Sequence, residues 1–263
     1  MSKIELILGD CLVEMKKIPD KSIDLVLTSP PYNVGVDYGT YKDNLGWGDY
    51  LKFTELWLGG VLRILKDDGR FCLNIPNAIK NSEGRVVYIS PIFLKLCEDL
   101  SFNTMEWITW VKGKAIIKGD EYSDSSFCGN NTAWGSWKSP SNPYFRSLTE
   151  SIIVFYKVSR KKEGHKENID ITADEFKEWT KNVWFIPTNS DDKHPAVYPK
   201  KMVNRLLKLF CYKNDLILDP FMGSGTTGIA CKELDRNFIG IEISPKYYKI
   251  AEQRIKNTQE MML

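Results

Sequence analysis

Apolar positions along the chain switch repeatedly between two periods. Short, nearly continuous apolar runs fall at Ile4–Leu8, Ile23–Thr28, Arg70–Ile75, Phe102–Val111, Ser151–Tyr156, Leu216–Leu218 and Asn237–Glu242. Runs of this length, bounded by turn residues, predict buried strands. Between them Cys11–Ile18, Tyr50–Leu65, Val87–Leu100, Met202–Phe210, Thr226–Leu234 and Tyr247–Lys256 space their apolar residues as helices do. Strands alternating with helices predict an α/β fold: an open, doubly wound, mostly parallel sheet covered on both faces.

Two stretches break the alternation. Lys112–Leu148 is rich in Gly, Ser, Asn and Pro, with Tyr122, Phe127, Trp134, Trp137, Tyr144 and Phe145 scattered through it. A loop of that size inside a compact domain is functional or disordered, and the aromatics favour function. Lys157–Lys181 is polar and opens on the cluster Lys157, Arg160, Lys161 and Lys162. The expected organisation is a body formed by 1–111 and 183–263, with a loop-rich region at 112–182 that includes one core strand near 151–156.

Composition narrows the partners. With 263 residues, 43% hydrophobic and 27% charged, the chain suits one domain with a modest insertion. A net charge of +2 excludes a uniformly basic coat but not a local basic groove. No apolar run approaches the roughly 20 residues that span a bilayer, and the start has no signal-peptide layout. A cytoplasmic protein without a membrane partner is expected. The six cysteines lie far apart and there are two histidines, so no metal site is expected.

Two segments carry chemistry. In Leu216-Ile217-Leu218-Asp219-Pro220-Phe221-Met222-Gly223-Ser224-Gly225-Thr226-Thr227-Gly228 a strand ends in an acid, a glycine-rich turn follows and a helix begins. Gly223 and Gly225 permit positive φ and close ligand approach, and the helix start offers unpaired N–H groups. Glu242, closing the next strand, is placed to accept from ribose hydroxyls. The glycines also satisfy G-x-G-x-x-G, the pattern of nicotinamide-dependent oxidoreductases. Asp219 just before them is badly placed against a pyrophosphate and suits a sulfonium or ammonium. The absence of Gly-Lys-Ser/Thr excludes a nucleotide triphosphate loop.

The second segment is Thr28-Ser29-Pro30-Pro31-Tyr32-Asn33, a rigid loop leaving a strand's carboxyl end, where ligands of open α/β sheets bind. Ser29 Oγ and the Pro30 carbonyl would both accept from one NH2 group, with Tyr32 stacking on a flat heterocycle. The bland reading is a Pro-Pro turn.

Taken together, Ser29-Pro30-Pro31-Tyr32 and Asp219-Pro220-Phe221-Met222-Gly223-Ser224-Gly225-Thr226-Thr227 resemble the S-adenosylmethionine-dependent amino-group DNA methyltransferases. With the catalytic motif first, the chain resembles their circularly permuted β class over nearly its whole length. The resemblance implies a Rossmann-like sheet with a loop-rich DNA-recognition insertion. It implies that Asp10 lies near the cofactor's adenine. His194 and Pro195, in Lys193–Pro199, match the segment packed around its methionine end, and Lys66–Arg70 matches the usual turn before a core strand. The implied cofactor residues are Asp10, Thr28, Ser29, His194, Pro195, Asp219, Pro220, Phe221, Gly223, Ser224, Gly225, Thr226, Thr227 and Glu242. Ser29, Pro30, Pro31 and Tyr32 are the implied catalytic set.

The implied substrate is a base flipped out of duplex DNA. Its contacts would be Tyr32, Asn33, Trp134, Trp137, Lys138 and Arg146, although the tryptophans also suit packing under a loop. Lys112, Lys114, Lys118, Lys138 and Arg146, with Lys157–Lys166, would touch phosphates or form a solvated face. Ring-carbon methylation needs a Pro-Cys nucleophile, and no cysteine here follows proline. Ser29 at the first motif position resembles the cytosine-N4 group, with adenine-N6 as the rival. A restriction endonuclease would be the cognate partner, and the protein a monomer or homodimer. Outside the class stand an oxidoreductase and a non-catalytic DNA-binding protein.

Overall fold

Alternation of side chains along each strand sends half of the apolar residues to each face of one sheet, and helices cover both. The computed structural model describes residues 2–35, 43–80, 84–113, 117–118, 121–122, 136–143, 145, 147–188 and 198–258. Its first half runs β1 (Ile4–Leu8), α1 (Cys11–Glu14), β2 (Ile23–Thr28), α2 (Trp47–Ile64), β3 (Leu65–Pro76), β4 (Ile79–Lys80), β5 (Val86–Val87), α3 (Ile89–Asp99) and β6 (Asn103–Val111). The second half runs β7 (Ile117–Lys118), β8 (Glu121–Tyr122), β9 (Thr149–Tyr156), α4 (Ala173–Trp179), β10 (Val183–Phe185), α5 (Lys200–Phe210), β11 (Leu216–Asp219), α6 (Thr226–Glu233), β12 (Asn237–Glu242) and α7 (Pro245–Asn257).

Eight strands form the sheet in the order β1-β12-β11-β2-β3-β9-β6-β10, and β9 alone of these runs antiparallel to its neighbours. The expected mostly parallel, doubly wound sheet is present. On one face Val26, Phe71, Leu73, Ile153 and Phe155 pack with Trp57, Val61 and Phe93 of α2 and α3. On the other Leu25, Leu27, Cys72, Ile152 and Val154 pack with Leu206, Ala230 and Ala251 of α5, α6 and α7. Neighbouring residues of one strand thus serve opposite cores, as a period of two requires.

The Lys66–Arg70 turn is drawn into β3 as a bulge. β2 advances from Ile23 to Leu25 while its partner advances from Leu65 to Arg70. A side chain on Gly69 would meet the Lys66 carbonyl at 2.9 Å, so glycine is required there. The sequence-read helix starting at Val87 begins at Ile89, because Val86 and Val87 pair with Ile79 and Lys80. α4 falls in the polar run 157–181, where the apolar pattern announces no helix. Thr172 and Glu175 form a reciprocal capping box at its start.

Residues 157–170 lie along the amino-terminal rim of the sheet. Lys157 Nζ donates to the Leu65 carbonyl at 2.8 Å, and Arg70 Nη1 donates to Ser159 O at 3.1 Å. Lys162 is buried between Asp24 (3.1 Å) and Asp215 (3.2 Å). Arg236, fully buried, forms a two-pronged pair with Asp170. Lys157 and Lys162, read as phosphate contacts, are therefore engaged within the fold, at the end of the sheet opposite the loops described next.

Candidate active site

The carboxyl ends of β1, β12, β11 and β2 carry the loops that shape the site. After β11 the chain turns through Gly223 (φ 52°) and Gly225 (φ 84°), conformations that cost a side-chain-bearing residue energy. A Cβ on Gly225 would also lie 2.9 Å from the Ala251 Cβ. The turn closes by Gly225 N–H donating to the Met222 carbonyl at 2.9 Å, and α6 starts at Thr226. Arg254 of α7 holds the turn from behind, donating to Ser224 O (2.8 Å) and Ser224 Oγ (2.7 Å). Thr226 Oγ1 is buried without a partner among the described residues. An orphaned hydroxyl at a helix start, beside two glycines in left-handed conformation, fits a polar ligand laid against the backbone.

Glu242 stands across from this turn. Its carboxylate accepts from Gly223 N–H at 2.9 Å and Ser244 N–H at 2.8 Å. Burial pushes its pKa up, more than those two bonds pull it down. Asp10 caps α1 by accepting from Leu12 N–H at 2.7 Å, and Gly9 N–H donates to the Glu242 carbonyl at 3.0 Å. The sequence-read adenine and ribose acids are thus brought side by side.

Asp219 departs from expectation. It is fully buried and does not line the cavity; its carboxylate accepts from Thr28 Oγ1 (2.7 Å), Thr227 Oγ1 (2.7 Å), Tyr198 Oη (2.9 Å) and Phe221 N–H (3.1 Å). Four protein donors occupy the acid that was expected to face a cation. Thr28 and Thr227 are likewise turned inward on Asp219 rather than into the cavity.

The loop after β2 forms the opposite lip. Tyr50 Oη donates to the Pro31 carbonyl at 2.9 Å and fixes the double proline. Ser29 Oγ and Tyr32 Oη share a hydrogen bond, and Asn74 Nδ2 faces both, at 3.5 Å and 3.3 Å. Asn74 is itself held by Glu150 Oε2 at 2.8 Å, and Glu150 pairs with Lys112 at 2.5 Å. The Pro30 carbonyl meets no donor among the described residues.

Asn33 was expected to touch substrate. It is buried at φ 59°, with its amide donating to Leu45 O (2.9 Å) and accepting from Leu45 N–H (2.7 Å). Those two bonds brace the loop, and Asn33 does not line the cleft. Trp137 is 63% exposed with the Lys138 ammonium 5.7 Å from its ring, outside the cavity lining. Trp134, Arg146, His194 and Pro195 lie outside the described residues.

Both loops open on one cleft. Asp10, Gly223, Ser224, Thr226 and Glu242 line one side, and Ser29, Pro30, Pro31 and Tyr32 the other. Pro220, Phe221 and Met222 form the floor, with Phe221 edge-on to Trp57 at 5.3 Å. Tyr198, inside the 193–199 segment that the resemblance pointed to, lines the cleft; sequence reading did not single out Phe53 and Tyr247, which line it too, or Arg254, Tyr50 and Asn74, which hold its walls. None of these carries a local signature; each is recruited from an element distant in the chain.

Residues 23–253 match the model of the N6_N4_Mtase family, described as DNA methylase. The chain belongs to this family. The methylase is 39% identical over 173 residues to the type II methyltransferase M.MjaVI of Methanocaldococcus jannaschii, covering 66% of this chain and 81% of that one. It is 30% identical over 262 residues to M.HpaI of Haemophilus parainfluenzae, covering 95% and 73%. Among solved structures it resembles a putative DNA modification methylase of Thermus thermophilus complexed with S-adenosyl-L-methionine. That likeness has a TM-score of 0.74 at 23% identity, over 97% of this chain and 93% of that one. It also resembles the cytosine-N4-specific PvuII DNA methyltransferase, with a TM-score of 0.72 at 20% identity, over 97% and 86%. These structural likenesses carry the Rossmann-like fold, and family membership removes the oxidoreductase reading.

Proposed function

We propose that this methylase transfers a methyl group from S-adenosylmethionine to the exocyclic N4 amine of a cytosine flipped out of duplex DNA. One observation carries the reading: Ser29 and Pro30 line the same cleft as the glycine turn and Glu242. A shared cleft supports a donor and an acceptor bound side by side. S-adenosylmethionine supplies an electrophilic methyl on a sulfonium.

The residues fit that group. The backbone at Gly223 admits close approach, Thr226 Oγ1 lacks a partner among the described residues, and Asp10 and Glu242 offer acceptors to a nucleoside. On the other lip the Pro30 carbonyl and Ser29 Oγ accept the two N–H bonds of the amine, leaving its lone pair directed into the cleft. Positive charge that develops on nitrogen meets acceptors already held in place, which requires no reorganisation at the moment of reaction. Tyr32, tied through its hydroxyl to Ser29 and Asn74, offers its ring to a base at about 1–3 kcal/mol of stacking.

Ser29 at the first motif position favours cytosine-N4 over adenine-N6. Two relatives are named type II methyltransferases, and we extend the reading to protection of a site cut by a partner endonuclease. Tritium transfer from labelled S-adenosylmethionine to unmethylated plasmid DNA, followed by nucleoside analysis, tests the proposal. N4-methylcytosine is the expected product. Label in N6-methyladenine would replace the base assignment, and no label would overturn the activity. Ser29→Ala is expected to lower transfer about 100-fold while cofactor affinity stays within twofold.

A further inference from the structure

Asp219 and Thr28 close a tie between the two walls of the cleft, and it has no counterpart in the backbone. The pairing of β11 with β2 runs Ile217↔Leu25 and Leu218↔Val26 and extends no further. Beyond it the strands carry, respectively, the glycine turn and the Ser29–Tyr32 lip. The bond from Thr28 Oγ1 to Asp219 Oδ1, 2.7 Å long, is the last link between the two strands among the described residues before the loops diverge. Thr28 immediately precedes Ser29. On the other side the same carboxylate accepts Phe221 N–H at 3.1 Å and Thr227 Oγ1 at 2.7 Å, the two ends of the cofactor turn. One buried group thus holds both ends of the donor wall and the root of the acceptor lip.

We propose that Asp219 is a positioning residue that sets the separation of the methyl donor and the amine through Thr28, rather than a ligand of the cofactor. The inference rests on the methyl-transfer reading above. Displacement reactions are steep in distance: a misplacement of about 1 Å costs on the order of 100-fold in rate. A carboxylate with four donors in a dry interior is a stiff anchor, because each hydrogen bond is stronger there than in water. Every one of its donors comes from the protein, so its removal from the Thr28 side leaves the cofactor wall with three of its four bonds.

Thr28→Val is nearly isosteric and deletes one hydroxyl, while Thr28→Ser keeps it. The experiment loads each variant with tritiated S-adenosylmethionine at saturation and follows single-turnover label transfer to unmethylated plasmid DNA. Cofactor affinity is measured in parallel by calorimetry, and folding by circular dichroism. The expected result is a 10- to 100-fold slower transfer for Thr28→Val with cofactor affinity within threefold of the parent, and recovery to within threefold for Thr28→Ser. If valine does not fold, Thr28→Ala makes the same comparison without the extra methyl. Transfer by folded Thr28→Val or Thr28→Ala within twofold of the parent overturns the proposal. So does a cofactor affinity of Thr28→Val more than threefold weaker than the parent's, which would return Asp219 to cofactor binding. Failure of Thr28→Ser to recover overturns it as well. A parent protein that transfers no label fails differently: the activity itself falls, and this inference with it.

Discussion

Replacing Lys162 by methionine separates a structural lysine from a DNA-binding one. Lys162 is 8% exposed and sits between Asp24, also 8% exposed, and Asp215, 16% exposed. Methionine fills nearly the same volume but leaves the two carboxylates facing each other. Asp24 keeps Lys66 at 2.7 Å, whereas Asp215 keeps only the Tyr212 N–H at 2.9 Å among the contacts described. Breaking a buried pair costs about 3–5 kcal/mol, and the remaining Lys66 places the expected loss near the lower end, about 3 kcal/mol. For a chain of this size that is about 6–12 °C in Tm.

The pH dependence has a definite sign. Burial alone would depress Lys162, but Asp215 and Asp24 raise its pKa overall. Its contribution is therefore complete at neutral pH and is lost only as pH rises through that raised value. Burial likewise opposes ionisation of Asp24, yet Lys162 and the Leu216 N–H bring it below the usual carboxylate range. That contribution is lost as pH falls through the lowered value. Asp215 is raised, chiefly by burial and then by Asp24. In the variant it loses its cation, so protonation relieves the strain and the gap to the parent narrows on acidification. Urea midpoints at pH 7 and pH 5 measure this. A midpoint shift worth less than about 0.5 kcal/mol at pH 7, or a gap that widens at pH 5, would refute the reasoning. Duplex affinity provides the second arm. A lysine on a phosphate lowers the salt slope by about 1 when removed, whereas Lys162→Met is expected to leave it unchanged.

Two further outcomes follow from the cleft. Gly225→Ala puts a methyl against Ala251 at a φ of 84°, so cofactor affinity measured by calorimetry is expected to fall at least 10-fold, with a loss of about 1–3 kcal/mol in stability. Because burial raises the Glu242 pKa, its carboxylate protonates earlier on acidification than an ordinary glutamate, and the neutral acid is a weaker acceptor for a nucleoside hydroxyl. Cofactor affinity is therefore expected to weaken from pH 7 to pH 5, and Glu242→Gln to weaken it at pH 7 while flattening that dependence. An unchanged profile in the glutamine variant would remove Glu242 from the binding surface.

The sheet and its covering helices were legible because period and length are local properties. β2 and β9 alternate between two cores, and both read as uninterrupted apolar runs. The two cleft loops were legible because glycine and proline restrict the backbone wherever they occur. Residues 157–170 were not. Their charges read as a solvated or phosphate-facing run, and what changes that reading for Lys162 and Asp170 is the identity of their partners: Asp24, Asp215 and Arg236 belong to distant strand starts. Burial of a lysine is decided by acids that the local sequence does not contain. The T-x-x-E signal at Thr172 was available for α4, but a helix with no buried residue has no apolar stripe to announce it.

Asp219 and Glu242 show how far a motif reaches. Both close strands at the same rim, and both are acids flanking the glycine turn, so chemistry alone treats them alike. Register separates them. Asp219 pairs with Gly240, which places Glu242 two residues farther toward the rim. The acid at the deeper level meets the side chains of neighbouring strands and helices and becomes an anchor. The one beyond it reaches the cleft. Any chain with this pair of adjacent parallel strands, in this register, is expected to divide the two roles in the same way, whichever amine lies across the cleft.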